Sequence, residues 1–245
     1  MFFKRNRRRA LFETPFPDGV HNEVLRAAPW LDRLAPGALA QAFSRAQVLL
    51  GEKRFEACGG LALTETMKAV IAAQAAVPIL GLEDDYYPRL ISILVYPTTF
   101  VAEASTQDAD GLVTEGPEDR EGETWEQGSL VLSWADIERD SRLPDDGYNV
   151  VLHEFAHQLD FEHGLSGGSE IIQREYRRHV EKVDAREDTL LDEYGATHPE
   201  EFFAVASECF FLWPADLEWE CAELYSELRR FYRQDPALWP GQPGK

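Results

Sequence analysis

The segment VVLHEFAHQLD at 150–160 restricts the fold more than any other part of this chain. Residues four apart lie on one face of a helix, so His153 and His157 stack one turn apart with Glu154 beside them. Val150, Val151 and Leu152 precede them, and Phe155, Ala156 and Leu159 occupy the other face. A helix apolar on these flanks is a buried one. The fold must therefore cover it and still accommodate two imidazoles, which need partners once out of water.

The pattern His153-Glu154-Phe155-Ala156-His157 has the form HExxH. Both imidazoles can reach one zinc ion at about 2.0–2.1 Å, and Glu154 can act on a water there as general base. The plain alternative is a helix with two hydrogen-bonded histidines. A catalytic zinc site takes three protein ligands and keeps one position open. One candidate third ligand is His163, six residues after His157. Asp160 stands where the HExxHxxGxxH pattern needs its turn glycine, however. The methionine turn of that pattern is also missing downstream, because the only methionines are Met1 and Met67. The other candidate is Glu201, at the start of a strongly apolar run with Phe202, Phe203, Val205, Ala206 and Phe210. An unpartnered carboxylate there would be costly, and a metal ion would remove the cost. Glu208 lies about two turns further on. First-turn acids favoured by the helix dipole are the plain account of Glu200 and Glu201, and it suits one better than both. Asp160 and Glu208 are the nearest carboxylates for the outer nitrogens of the histidines. Asp160 reads equally well as a helix-end residue.

Periodicity predicts helices near 36–50, 64–77 with Thr64 as N-cap, 149–161, 169–194, and after Pro199. The run 69–82, broken by Gln74 and Pro78, belongs in the core. A short strand or loop is expected at 55–60, and strands at 90–96 and 129–134. The segment 103–127 reads as a hairpin or long loop, and 143–148 as a turn. The strand near 130–134 either borders a substrate cleft, pairing with an extended peptide, or is an ordinary core or edge strand. Trp134 lines that cleft or packs beneath it. Leu224, Leu228, Phe231 and Tyr232 read as core. Helices and strands intersperse without regular βαβ alternation, so the expected class is α+β with a small sheet. Residues 1–30 read as an irregular arm, 31–240 as one domain and 241–245 as a tail.

Charge removes several classes of function. The formal net charge is −20, with 44 acidic against 24 basic residues, which argues against nucleic-acid binding by the bulk of the chain. Nine carboxylates and the single base Arg120 fall between 103 and 126. Lys4, Arg5, Arg7, Arg8 and Arg9 make a basic tip expected to be solvated. Residues 10–17 hold too few apolar groups for a secretory signal, and no run is long enough to span a membrane. Cys58, Cys209 and Cys221 cannot all pair and form no CxxC, which suits a reducing, cytoplasmic setting.

HEFAHQLD, FEACGGLALT, IAAQA, LVLSW and the later YGAT and PEEFFAVASE, on either side of His198, together resemble the Mlc titration factor A family of bacterial zinc peptidases. The resemblance runs from about residue 55 to 212. The Tyr-Gly and Glu-Phe-Phe-Ala elements also resemble the catalytic domain of anthrax lethal factor. The resemblance implies a zincin-like domain with one zinc ion held by His153, His157 and Glu201. It implies Glu154 as general base and Tyr194 as a donor to the oxyanion; a helix-end aromatic is the plain reading of Tyr194. It further implies aminopeptidase-like cleavage of peptides or, alternatively, sequestration of a glucose-responsive transcriptional repressor. Tyr148 stands where family members often carry His, and His198 where they often carry Asn.

Overall fold

The computed structural model describes residues 2–17, 19–82, 86–98, 128–142 and 147–241. The expected loop at 103–127 lies outside them, as does most of the turn expected at 143–148.

The N-terminal region departs from expectation. Helix α1 (Phe2–Phe12) and helix α2 (Val20–Ala27) replace the irregular arm. Leu11 and Phe12 pack on the core, and Val24 is fully buried in it. The basic tip is only partly solvated. Arg8 forms a two-pronged bond to Glu52, with Nε and Nη2 each 2.8 Å from a carboxylate oxygen. Arg7 donates to Gly51 O at 2.8 Å. Both partners sit at the C-terminal end of α3 (Pro36–Glu52), where exposed carbonyls favour cations. Partners far along the chain thus order a segment whose local composition suggested none.

A three-stranded sheet follows, formed by β1 (Arg54–Ala57), β2 (Ser92–Tyr96) and β3 (Ser129–Ser133). Its order is β1-β2-β3, and both pairings are parallel. Helix α4 (Glu65–Ala76) lies in the chain between the parallel strands β1 and β2, giving one βαβ unit. Parallel pairing also excludes a simple two-strand hairpin between β2 and β3. The small sheet and the mixture of helices and strands agree with expectation. Thr64 caps α4 as its sequence suggests, its hydroxyl accepting from Met67 N at 3.2 Å.

The C-terminal half is helical: α5 (Trp134–Arg142), α6 (Val150–His163), α7 (Glu170–Asp184), α8 (Pro199–Leu212), α9 (Pro214–Glu220) and α10 (Ala222–Tyr232). Helix α7 stops at Asp184, ten residues before the expected end. Tyr194 lies instead in a 3-10 turn, Glu193–Ala196, that packs on α7 and α8. Helix α6 is covered by α4, α8 and β3. Leu152, Phe155 and Leu159 are all fully buried, as apolar flanks require. Asn149 caps its start through Leu152 N at 3.0 Å. Gly164 ends it at φ 69°, a left-handed conformation that glycine adopts without penalty. Leu224, Leu228 and Tyr232 join the core, and Trp134 packs against it.

Candidate metal centre

Helices α6 and α8 bring three side chains to one point. His153 Nε2 lies 3.0 Å from Glu201 Oε2 and 3.0 Å from His157 Nε2, and His157 Nε2 lies 3.2 Å from Glu201 Oε2. Ligand atoms about 2.0–2.1 Å from a tetrahedral ion stand about 3.3 Å apart. The three atoms therefore form nearly the face such an ion needs, and the His-His-Glu set is one that can hold a metal ion.

Burial would raise the Glu201 carboxyl and lower the His153 imidazole. Their contacts reverse both tendencies. Bonds from the two imidazoles hold Glu201 down to about 2. Bonds to Glu201 and Glu208 carry His153 well above its ordinary value. Burial wins at His157, which is lowered. The two directions differ because His153 meets a carboxylate at each of its nitrogens.

The second carboxylate is Glu208, with Oε1 2.8 Å from His153 Nδ1. Its Oε2 accepts from Asn149 N at 2.6 Å. A carboxylate on the outer nitrogen fixes tautomer and ring orientation. Asp160 divides its roles. Its Oδ1 accepts from Ser166 N at 2.7 Å, closing the turn after α6, while its charge acts on His157.

Each residue singled out in the sequence now has a place. Glu201 is buried and Glu200 exposed, so the first-turn reading fits Glu200 alone. His163 stands outside the cluster, its ring 5.6 Å from that of Phe231 at the far end of α6. Glu154 is half-buried, and its charge acts on His153. The Tyr194 ring lies 6.2 Å from the His153 ring, and the residue is 50% exposed.

A cavity of about 430 Å³ opens beside His153, lined among others by Asp140, Tyr148, Asp192, Tyr194, Val205 and Glu208. Sequence reasoning singled out Tyr148 but missed Asp192, another member of this wall. The Tyr148 hydroxyl donates to Asp192 Oδ2, a bond that pushes it up to about 12. Asp192 Oδ1 accepts from Tyr194 N at 2.8 Å, capping the turn that carries Tyr194. The only local sign was an Asp two residues before Tyr194, an ordinary turn-capping pattern. His179 completes the support, its Nε2 donating to Asp192 O at 3.0 Å. No described helix is long and apolar enough to cross a membrane.

Comparison with known proteins shows the family. The chain is 36% identical over 232 residues to Mlc titration factor A of Serratia proteamaculans, covering 85% of this chain and 88% of that one. It is 38% identical over 208 residues to Mlc titration factor A of Yersinia pestis, covering 79% and 76%. An uncharacterized Synechocystis protein is 35% identical over 246 residues, covering 95% and 90%. The family model of the glucose-regulated metallopeptidases M90 matches residues 2–233. A match over nearly the whole chain, together with these relatives, places the protein in the M90 metallopeptidase family.

Proposed function

We propose that this protein is a zinc-dependent peptidase of aminopeptidase type, with His153, His157 and Glu201 as the metal ligands. The observation that carries the reading is the convergence of those three side chains, with 3.0–3.2 Å between ligand atoms, beside an open cavity. Bound zinc would supply a polarised carbonyl and a water ionising near neutral pH. Glu154, adjacent to His153, takes the proton of the attacking water and returns it to the leaving amine. The Tyr194 hydroxyl donates to the charge that develops on the carbonyl oxygen. Among the described residues β3 is an edge strand packed on α6, and it offers backbone groups to an extended peptide. The HExxH-plus-Glu ligand set is of gluzincin type. A cytoplasmic setting suits three cysteines, none of them in a disulfide.

A second reading follows from the relatives' name, Mlc titration factor A. In that reading the protein captures a transcriptional repressor, and catalysis is secondary. The two separate in one experiment with Glu154→Gln, which preserves shape and removes the base. The peptidase reading expects zinc content at the wild-type level and hydrolysis of N-terminally unblocked peptides lost. Wild-type hydrolysis by this variant sinks Glu154 as base. The capture reading expects repressor binding undiminished in the same variant.

A further inference from the structure

Behind the His153–Glu208 pair lies a buried residue that the proposed chemistry does not use. Gln74 sits inside α4 and is fully buried among Ala, Val and Ile neighbours. Its Oε1 accepts from Asn149 Nδ2 at 2.8 Å, Trp30 Nε1 at 2.9 Å and Ser141 Oγ at 3.0 Å. Its Nε2 donates to Val70 O at 3.3 Å. A buried amide is tolerated only when bonded in this way, and an apolar residue would fill the space without that demand.

A continuous path runs from Gln74 to the metal-ligand group. The Gln74 acceptor faces the NH₂ group of Asn149, which turns Asn149 Oδ1 toward Leu152 N, the cap of α6. Asn149 N in turn donates to Glu208 Oε2 at 2.6 Å. Glu208 Oε1 meets His153 Nδ1 at 2.8 Å. Asn149 and Glu208 are 1% and 4% exposed, so water is a poor substitute at either. The Gln74 acceptor and Leu152 N hold the Asn149 amide from its two ends, so loss of Gln74 removes one of the two bonds that fix it.

We propose that Gln74 is a positioning residue for the metal centre, acting through Asn149 and Glu208 to aim His153 at the point it shares with His157 and Glu201, a role that rests on the metal reading above. The competing account is purely structural: Gln74 ties α4 to the Trp30 turn and to α5. Groups supporting a ligand from outside typically change metal affinity about 10–100-fold when lost.

The test is zinc affinity by competition with a chromophoric chelator, together with the visible spectrum of the cobalt-loaded full chain and urea unfolding of the metal-stripped chain. Gln74→Met removes the acceptor at similar volume, and about tenfold or greater weakening of zinc is expected, with a changed cobalt spectrum. Gln74→Glu keeps an acceptor for all three donors, and wild-type zinc affinity is expected. Trp30→Phe removes a donor on the path that leads away from the metal, so stability falls while zinc affinity holds. Asn149→Asp keeps the helix cap and removes the donor to Gln74. It should weaken zinc as Gln74→Met does, and it carries the test if Gln74→Met does not fold. Wild-type zinc affinity and cobalt spectrum in both Gln74→Met and Asn149→Asp overturn the proposal. Equal weakening in Trp30→Phe also overturns it, because affinity would then follow stability alone. A wild-type chain that takes up no zinc refutes the metal reading itself, an outcome distinct from either.

Discussion

His153 and Glu208 meet at 2.8 Å through the imidazole nitrogen that faces away from the ligand cluster. Glu201, about two turns earlier on the same helix, meets the other nitrogen at 3.0 Å. One helix face thus grips both ends of one ring. Glu208→Ala is expected to weaken zinc binding about 10–100-fold. Glu208→Gln keeps an acceptor oxygen and should lose less. Chelator competition on both variants measures the difference.

Glu201 and His163 are rivals for the third ligand position in the sequence, and the fold separates them. Glu201→Ala should abolish stoichiometric zinc, read by metal analysis after gel filtration. His163→Ala should retain one zinc per chain. The reverse pattern would refute the assignment.

Tyr194 is expected to matter in the transition state more than in substrate binding. Tyr194→Phe should lower kcat about 10²–10³-fold, the usual effect of removing one oxyanion donor, with KM little changed. Tyr148→Phe releases Asp192 from one of its bonds and leaves the Tyr194 hydroxyl intact. Its loss in kcat should be smaller. Steady-state kinetics on a peptide p-nitroanilide distinguishes the two.

His179 makes stability pH-dependent in a defined direction. Burial holds its imidazole below the ordinary value of 6.5. The unfolded chain therefore binds a proton there below about pH 6.5 that the folded chain refuses. Its contribution is full above that pH and is lost as pH falls toward the folded value. Wild type should lose urea stability faster than His179→Gln between pH 7.5 and 5. Parallel curves would refute this.

Phe155 supports the motif helix from its apolar side. It is fully buried, with its ring 4.7 Å from that of Tyr87. Phe155→Ala should cost about 3–5 kcal/mol and lower Tm by roughly 10 °C. Calorimetry of the metal-stripped chain gives the value.

The amino-acid order alone determined the helix with His153 and His157 on one face, because periodicity is a local property. It determined the Thr64 cap and the buried helix behind it for the same reason, and it singled out Glu201 as a carboxylate in apolar company. Tertiary structure decided what depends on distance along the chain. The basic tip became a helix because Glu52 and the end of α3 lie beside it. The strands became parallel because their pairing is set across 35 residues or more. Gln74 looked like a mere interruption of an apolar run, and Asp192 fell inside the helix expected over 169–194. Their partners, Asn149 and Tyr148, are 75 and 44 residues away. A hydrogen bond between such groups leaves no periodic trace, so only the folded chain could reveal which polar groups it brings together.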